Sequence, residues 1–454
     1  MRNNFAHLFV NLALLSLLAS VTFGCFAAFQ YVYPDLLEGI FSFQMTRPIH
    51  VSLAVAWIFL SALAGIYYYL PKIVNGPIYS SKLAYLHFGV FAFTGVLILY
   101  SYFTKSFGGR EYWAFPPVFA IPILISWLFL IINFFKTFYN YIKSSISEDS
   151  GFRSIKIPVY IWMWGVGILF FFLTFIEAYL WLVPFFRENI VRDIMVQWKA
   201  YGSLVGSWNM LVYGTAIYVM DKISGESSAK SKTSYFLFFL AFTNLLLGWS
   251  HHIYILSTAE WIRHLGYAIS MTELIILWRM IWLWKKTIKI SRKEEFNLSY
   301  LFLVAADFWI ICNLLLAILM SIPVINIYTH GTHITVAHSM GSTIGINTMI
   351  LLASIFYILH DSKRIPKQYR GMKYSNKGFW ILNFFFLIFW IDLILIGILK
   401  SYYTIQGLHH QQIIRLLEPY FEGFFVSGIG MFIGVCCVIL PVFKKSFVNL
   451  SSEN

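Results

Sequence analysis

Charge is scarce in this sequence. Asp, Glu, Lys and Arg make up 12% of its 454 residues, about half the share found in soluble domains, which excludes a freely soluble fold. No polar stretch is long enough for a soluble domain or linker, so residues 1–454 read as one membrane-embedded domain, although length alone would allow two or three soluble ones. Cysteine is limited to Cys25, Cys312, Cys436 and Cys437. These form no C-x-x-C pair and no C-x-x-C-H haem-attachment site, so any covalently bound c-type haem has to belong to another polypeptide. No small-residue cleavage site closes the first apolar block, which is expected to be a span rather than a cleavable signal.

Apolar residues are abundant: 59% of the chain is hydrophobic, 20% is aromatic, and the mean hydropathy is +0.71. They come in blocks long enough to cross hydrocarbon, which takes about 20 residues each. The blocks predict spans at 6–30, 49–71, 82–104, 116–140, 155–185, 199–221, 233–257, 263–285, 299–323, 333–359, 377–399 and 420–443. The expected class is an all-α polytopic membrane protein of twelve transmembrane helices. The net charge of +13 would suggest nucleic acid in a soluble protein. Here the basic residues crowd alternate loops, around Lys222–Lys232, Lys285–Lys293, Lys363–Lys377 and Lys444-Lys445, whereas 31–48 and 324–332 are nearly free of them. The positive-inside rule then puts both termini in the cytoplasm of a bacterial inner membrane. The bilayer, not nucleic acid, is the expected partner.

This topology sorts the histidines. His50 opens the second span, His251 and His252 close the seventh, and His338 lies about one and a half turns into the tenth. Tyr201 opens the sixth span on the same side. Four helices thus carry ligand-type residues at one expected depth, in the outer part of the membrane. An ionisable side chain in hydrocarbon costs a few kcal/mol unless it is paired or ligated, so such a layer points to a function. His7, His87, His360, His264, His409 and His410 are assigned to ordinary packing and loops. Neighbours such as His251 and His252 point about 100° apart on a helix and share an ion only where the helix end loosens or the metal sits between their faces. Imidazole suits iron or copper. A structural zinc would want four closed ligands, usually thiolates.

Five segments carry a resemblance: Arg47-Pro48-Ile49-His50, Gly108-Gly109-Arg110-Glu111-Tyr112, Gly248-Trp249-Ser250-His251-His252, Ser270-Met271-Thr272-Glu273, and His330-Gly331-Thr332 leading to Ala337-His338. In order and spacing the chain resembles, over nearly its whole length, the large subunit of bacterial nitric oxide reductase within the haem-copper oxidase superfamily. That resemblance implies a haem-copper oxidase subunit I-like fold. It also implies two b-type haems, one low-spin and one high-spin, the latter facing a non-haem metal, iron or copper. His50 resembles a low-spin haem ligand, His338 the proximal ligand of the high-spin haem, and His251 and His252 two ligands of the non-haem metal. Glu273 resembles an acid that brings protons to the site. The acids Glu177, Asp307 and Asp392 also fall inside spans, with no matching family role.

The chain departs from this family where chemistry is most sensitive. The family's sixth span carries H-L-W-V-E-G followed by V-W-E; here the register is Tyr201-Gly202-Ser203-Leu204-Val205-Gly206 and then Ser207-Trp208-Asn209. Tyr201 replaces the third metal histidine, Val205 the metal-linked glutamate and Asn209 the second glutamate. Valine neither ligates nor carries protons, so the three-His-one-Glu site cannot form. A tyrosinate can bind ferric iron, copper can sit on fewer ligands, or no second metal binds. In the tenth span the family's H-x-H reads His338-Ser339-Met340. Residues i and i+2 point about 200° apart, so Met340 can serve a second haem, and His/Met ligation raises its potential. His333 also faces away from His338 but lies about 7.5 Å along the axis; Met340 is preferred. The second acid of the family's G-R-E-Y-L-E is Ala114 here, which puts calcium binding in doubt.

Three functions follow. The first is nitric oxide reduction to nitrous oxide with electrons from a membrane-anchored cytochrome c subunit or another outer-side donor. The second is another reaction of a small gas, nitric oxide dismutation or oxygen reduction. The third is a non-catalytic haem protein that senses gas or relays electrons.

Overall fold

The computed structural model describes residues 4–35, 39–145, 157–225, 228–253, 259–366 and 369–451. Backbone N–H and C=O groups in hydrocarbon have no water to bond, so a spanning chain must satisfy them within helices. Twelve long helices result among the described residues: α1 (Asn4–Val32), α2 (Phe43–Ile73), α3 (Ser81–Phe103), α4 (Ala120–Ser145), α5 (Val159–Glu177), α6 (Ile190–Ser224), α7 (Lys232–Leu247), α8 (Glu260–Thr287), α9 (Asn297–Ser321), α10 (His333–Asp361), α11 (Met372–Ile405) and α12 (His410–Ser451). Each of the twelve predicted spans overlaps one of them, with 155–156 and 254–257 of the fifth and seventh lying outside the described residues. Eleven of these are long and apolar enough to cross a membrane by length and composition. The exception, α6, has a buried face of Tyr201, Ser203, Ser207 and Thr215, which dilutes its hydropathy. Apolar side chains such as Phe239, Trp380 and Phe384 are exposed on the outside of the helices, as lipid contact requires. No strand occurs among the described residues beyond an isolated Arg110–Trp113 bridge.

The helices sort into two compact units. The first comprises Met1–Phe9, Ala62–Ile98 and Pro116–Glu294, with α6 at its centre. The Asn189 side chain caps α6 by accepting from the Arg192 N–H at 3.0 Å, satisfying a donor that a helix start leaves unpaired. Gly225 ends it at φ +77°, the left-handed turn that favours glycine. Helices α5, α7 and α8 pack around it. Aromatic contacts lock this unit: the Trp127 ring lies tilted 3.9 Å from that of Phe171 between centres and donates to the Ile168 carbonyl at 2.8 Å.

The second unit comprises Val10–Ser61, Leu99–Phe115 and Glu295–Asn454. Helices α11 and α12 pack along each other, while α10 is held between α9 and α11. Trp390 of α11 donates to the Ala337 carbonyl at 3.0 Å, and Asn313 of α9 donates to the Ser342 hydroxyl at 2.8 Å. Helix α10 is not regular: it runs as α-helix over His333–Met340, as π-helix over Gly341–Thr348, and as α-helix again from Met349. A Cβ on Gly341 would lie 2.4 Å from Asn313 Oδ1, so glycine lets α9 approach where the π segment starts.

Candidate functional site

His50, His338 and Met340 all lie in the second unit. Because α2 starts at Phe43, His50 sits about two turns inside the helix rather than at its mouth. Its Nδ1 lies 2.8 Å from the Ser20 carbonyl oxygen of α1. A carbonyl only accepts, so Nδ1 carries the proton and donates, leaving the Nε2 lone pair free to bind metal. Ser20 Oγ also donates to the His50 carbonyl at 3.2 Å. One turn along α1, a Cβ on Gly24 would come 2.9 Å from His50 Nδ1 and 3.0 Å from its Cε1. Glycine there gives the ring its place.

His338 and Met340 end the α-helical part of α10, immediately before the π segment, so the two side chains keep the α-helical spacing of about 200°. π segments inside helices are frequent at functional sites. His338 Nδ1 is buried without a hydrogen-bond partner; a buried unsatisfied nitrogen costs about 1–3 kcal/mol, which ligation of the imidazole would help offset. His333 instead packs in an aromatic box, 5.7 Å from Phe421 and 6.0 Å from Tyr31 between ring centres. Two of the sequence motifs meet in this unit: Arg47 donates to Glu111 at 2.7 Å. Beside them Tyr112 takes φ +65°, and burial followed by the Glu111 charge pushes its hydroxyl up to about 12, against the pull of Arg47.

Tyr201, Val205, Asn209, Glu273 and the Gly248–Ile253 turn lie in the first unit. Tyr201 is 2% exposed, and α6 packs against the turn that carries His251 and His252. That turn is 3-10 rather than α-helical, so the end of α7 loosens where the two histidines sit. Their side chains lie outside the described residues. Ser250 ties the turn down, with Oγ 2.9 Å from the Leu247 carbonyl and 2.7 Å from that of Ile262 on α8. Glu273 is 1% exposed. Its Oε2 accepts from Asn244 Nδ2 of α7, and its Oε1 is unpartnered. Val205 and Tyr201 lie on this face of α6, and neither supplies the glutamate and third histidine of the three-His-one-Glu set that the resemblance implies, so the residues present do not fit that set. Among the residues whose side chains are described, which exclude His251 and His252, no three His, Cys, Asp or Glu come together to hold a metal.

Sequence reasoning missed Ser20 and Asn244, for which no local pattern gives a signal. Of the unassigned acids, Glu177 is held by Lys199 at 2.5 Å, and Asp307 is 3% exposed.

The family described as cytochrome c and quinol oxidase polypeptide I matches residues 4–433. The chain belongs to this haem-copper oxidase subunit I family. Members of the family are membrane oxidoreductases supplied with electrons by cytochrome c or quinol. Among its relatives, a nitric oxide reductase subunit of Stutzerimonas stutzeri is 23% identical over 460 aligned positions, covering 94% of this chain and 91% of that one. In structure, the chain is similar to a haem-copper terminal oxidase solved by cryo-EM as a dimer. The TM-score is 0.75 and the identity 13%, with 98% of this chain and 84% of that chain covered, a likeness of fold.

Proposed function

We propose that this haem-copper oxidase family member reduces nitric oxide to nitrous oxide, as a single membrane domain in a bacterial inner membrane with both termini cytoplasmic. The observation that carries the reading is the 2.8 Å contact of His50 Nδ1 with the Ser20 carbonyl, which turns Nε2 toward ligation, together with the buried, half-satisfied carboxyl of Glu273. In this reading His50 and Met340 hold a low-spin haem and His338 a high-spin haem, while His251 and His252 hold any second metal, iron or copper. When bound, these groups supply one-electron transfer and a place for the gas. Two molecules of nitric oxide, two electrons and two protons give nitrous oxide and water. Glu273, oriented by Asn244, passes protons, because a carboxyl in an apolar setting holds and releases one where water is excluded. Electrons come from a membrane-anchored cytochrome c or another outer-side donor docking over the 31–48 and 400–419 segments, where α1 meets α2 and α11 meets α12.

A second reading is favoured by Val205 and Tyr201: loss of the glutamate ligand suits nitric oxide dismutation, which needs no sustained donor, or oxygen reduction. Metal and haem stoichiometry of the purified protein, with turnover assays on nitric oxide, tests both. Two haems per chain and donor-dependent nitrous oxide release support reduction. Nitric oxide loss without a donor supports dismutation. Haem with no gas turnover overturns both and leaves an electron-relay or sensor role.

A further inference from the structure

Within the second unit, α2 and α10 are tied together at two places. Both start against one ring: Tyr31 of α1 lies 5.5 Å from Phe43, the first residue of α2, and 6.0 Å from His333, the first of α10, between ring centres. They are joined again further along, where Trp57 Nε1 donates to Thr348 Oγ1 at 2.9 Å, both side chains buried. The two helices thus run the same way between two common points, but with different lengths of chain. Phe43 to Trp57 is a step of fourteen residues, about 21 Å of α-helix, whereas His333 to Thr348 is a step of fifteen.

The extra residue has a definite place. His50 stands seven residues past Phe43, and Met340 seven past His333. Trp57 is seven past His50, but Thr348 is eight past Met340. The surplus therefore falls within Gly341–Thr348, which is the π stretch. A π turn closes from i to i+5 where an α turn closes from i to i+4, so it takes up one residue more. The Thr348 hydroxyl also donates to the Thr343 carbonyl at 2.8 Å, five residues back. One side chain holds both the widened turn and the indole of α2.

We infer that Trp57 and Thr348 are positioning residues, whose bond fixes α10 on α2 so that the π segment absorbs the surplus residue and Met340 stands level with His50. The inference rests on the reading that His50 and Met340 hold one low-spin haem. Two axial ligands lie on one line through the iron, and between helices that run side by side that line is short only when both stand at one height. Without the Trp57–Thr348 bond the π segment is free to relax to α-helix. A change of register by one residue turns the stretch before it by about 100°, which takes Met340 out of line with His50.

The test uses the full-length protein in detergent with its haem, read by EPR and by reduced-minus-oxidised spectra. Thr348→Val keeps the shape of the side chain and removes the hydroxyl; Trp57→Phe removes the N–H. Each is expected to lose low-spin signal and gain high-spin signal at unchanged total haem. Trp57→Phe/Thr348→Val is expected to lose no more than either single variant, since all three remove the same bond. Thr348→Ser, which keeps the hydroxyl, is expected to retain the wild-type spectrum and guards against a folding defect. Met340→Ala separates the brace from the ligand. A low-spin signal that changes in Met340→Ala but not in Thr348→Val or Trp57→Phe overturns the brace and leaves the ligand standing. Equal loss in Thr348→Ser and Thr348→Val overturns the brace as well. A signal unchanged in Met340→Ala overturns ligand and brace together. None of these readouts depends on gas turnover.

Discussion

The imidazole of His50 and the carbonyl of Ser20 are joined at 2.8 Å across two helices, and Gly24, one turn on, leaves the space that this contact needs. Alanine in a helix is favoured over glycine by about 1 kcal/mol, so Gly24→Ala should keep the fold. Its Cβ would nonetheless press on Nδ1 at 2.9 Å and turn the ring. The expected result is partial loss of low-spin haem, visible as a weakened α-band in the reduced spectrum and altered EPR g values. An unchanged spectrum would remove Gly24 and Ser20 from haem positioning.

Met340 is the residue whose role the redox potential reads most directly. His/Met ligation gives a higher potential than His/His. Met340→His, which restores the family's H-x-H, should therefore lower the low-spin midpoint potential in a spectroelectrochemical titration while keeping both haems. A potential that stays in place would make Met340 a packing residue.

In the proposed site Val205 stands where the resemblance implies both a ligand and an acid. Val205→Glu should raise the non-haem iron retained after purification toward about one per chain, counted by elemental analysis. His251→Ala or His252→Ala should abolish any such metal. If Tyr201 binds ferric iron as a phenolate, Tyr201→Phe removes a charge-transfer absorption and leaves both haems. Metal content indifferent to both histidines would argue against a second metal on this turn.

Glu273 and Asn244 act as a pair. Glu273→Gln keeps the shape but cannot pass a proton, and general acid–base groups contribute about 10²–10⁴-fold. Steady-state turnover on nitric oxide should fall into that range with haem content unchanged. Asn244→Leu should give a smaller loss, since the carboxyl keeps its chemistry but loses its donor. Full activity in Glu273→Gln would move proton delivery elsewhere.

By itself the sequence determined eleven apolar segments, because crossing hydrocarbon depends on local length and hydropathy, whereas α6, with its polar buried face, falls short on that measure. It also determined the residue types at Tyr201, Val205, Asn209 and Met340, the positions where the resemblance implies other side chains, because residue type needs no structure to read. The tertiary structure decided which donors meet which acceptors. Ser20 lies 30 residues from His50, Asn244 lies 29 from Glu273, and Lys199 lies 22 from Glu177; each pair forms because two helices pack at one register. The same holds for the close approach of Asn313 to Gly341 where the π segment starts: glycine leaves the space, and the packing of α9 on α10 fills it.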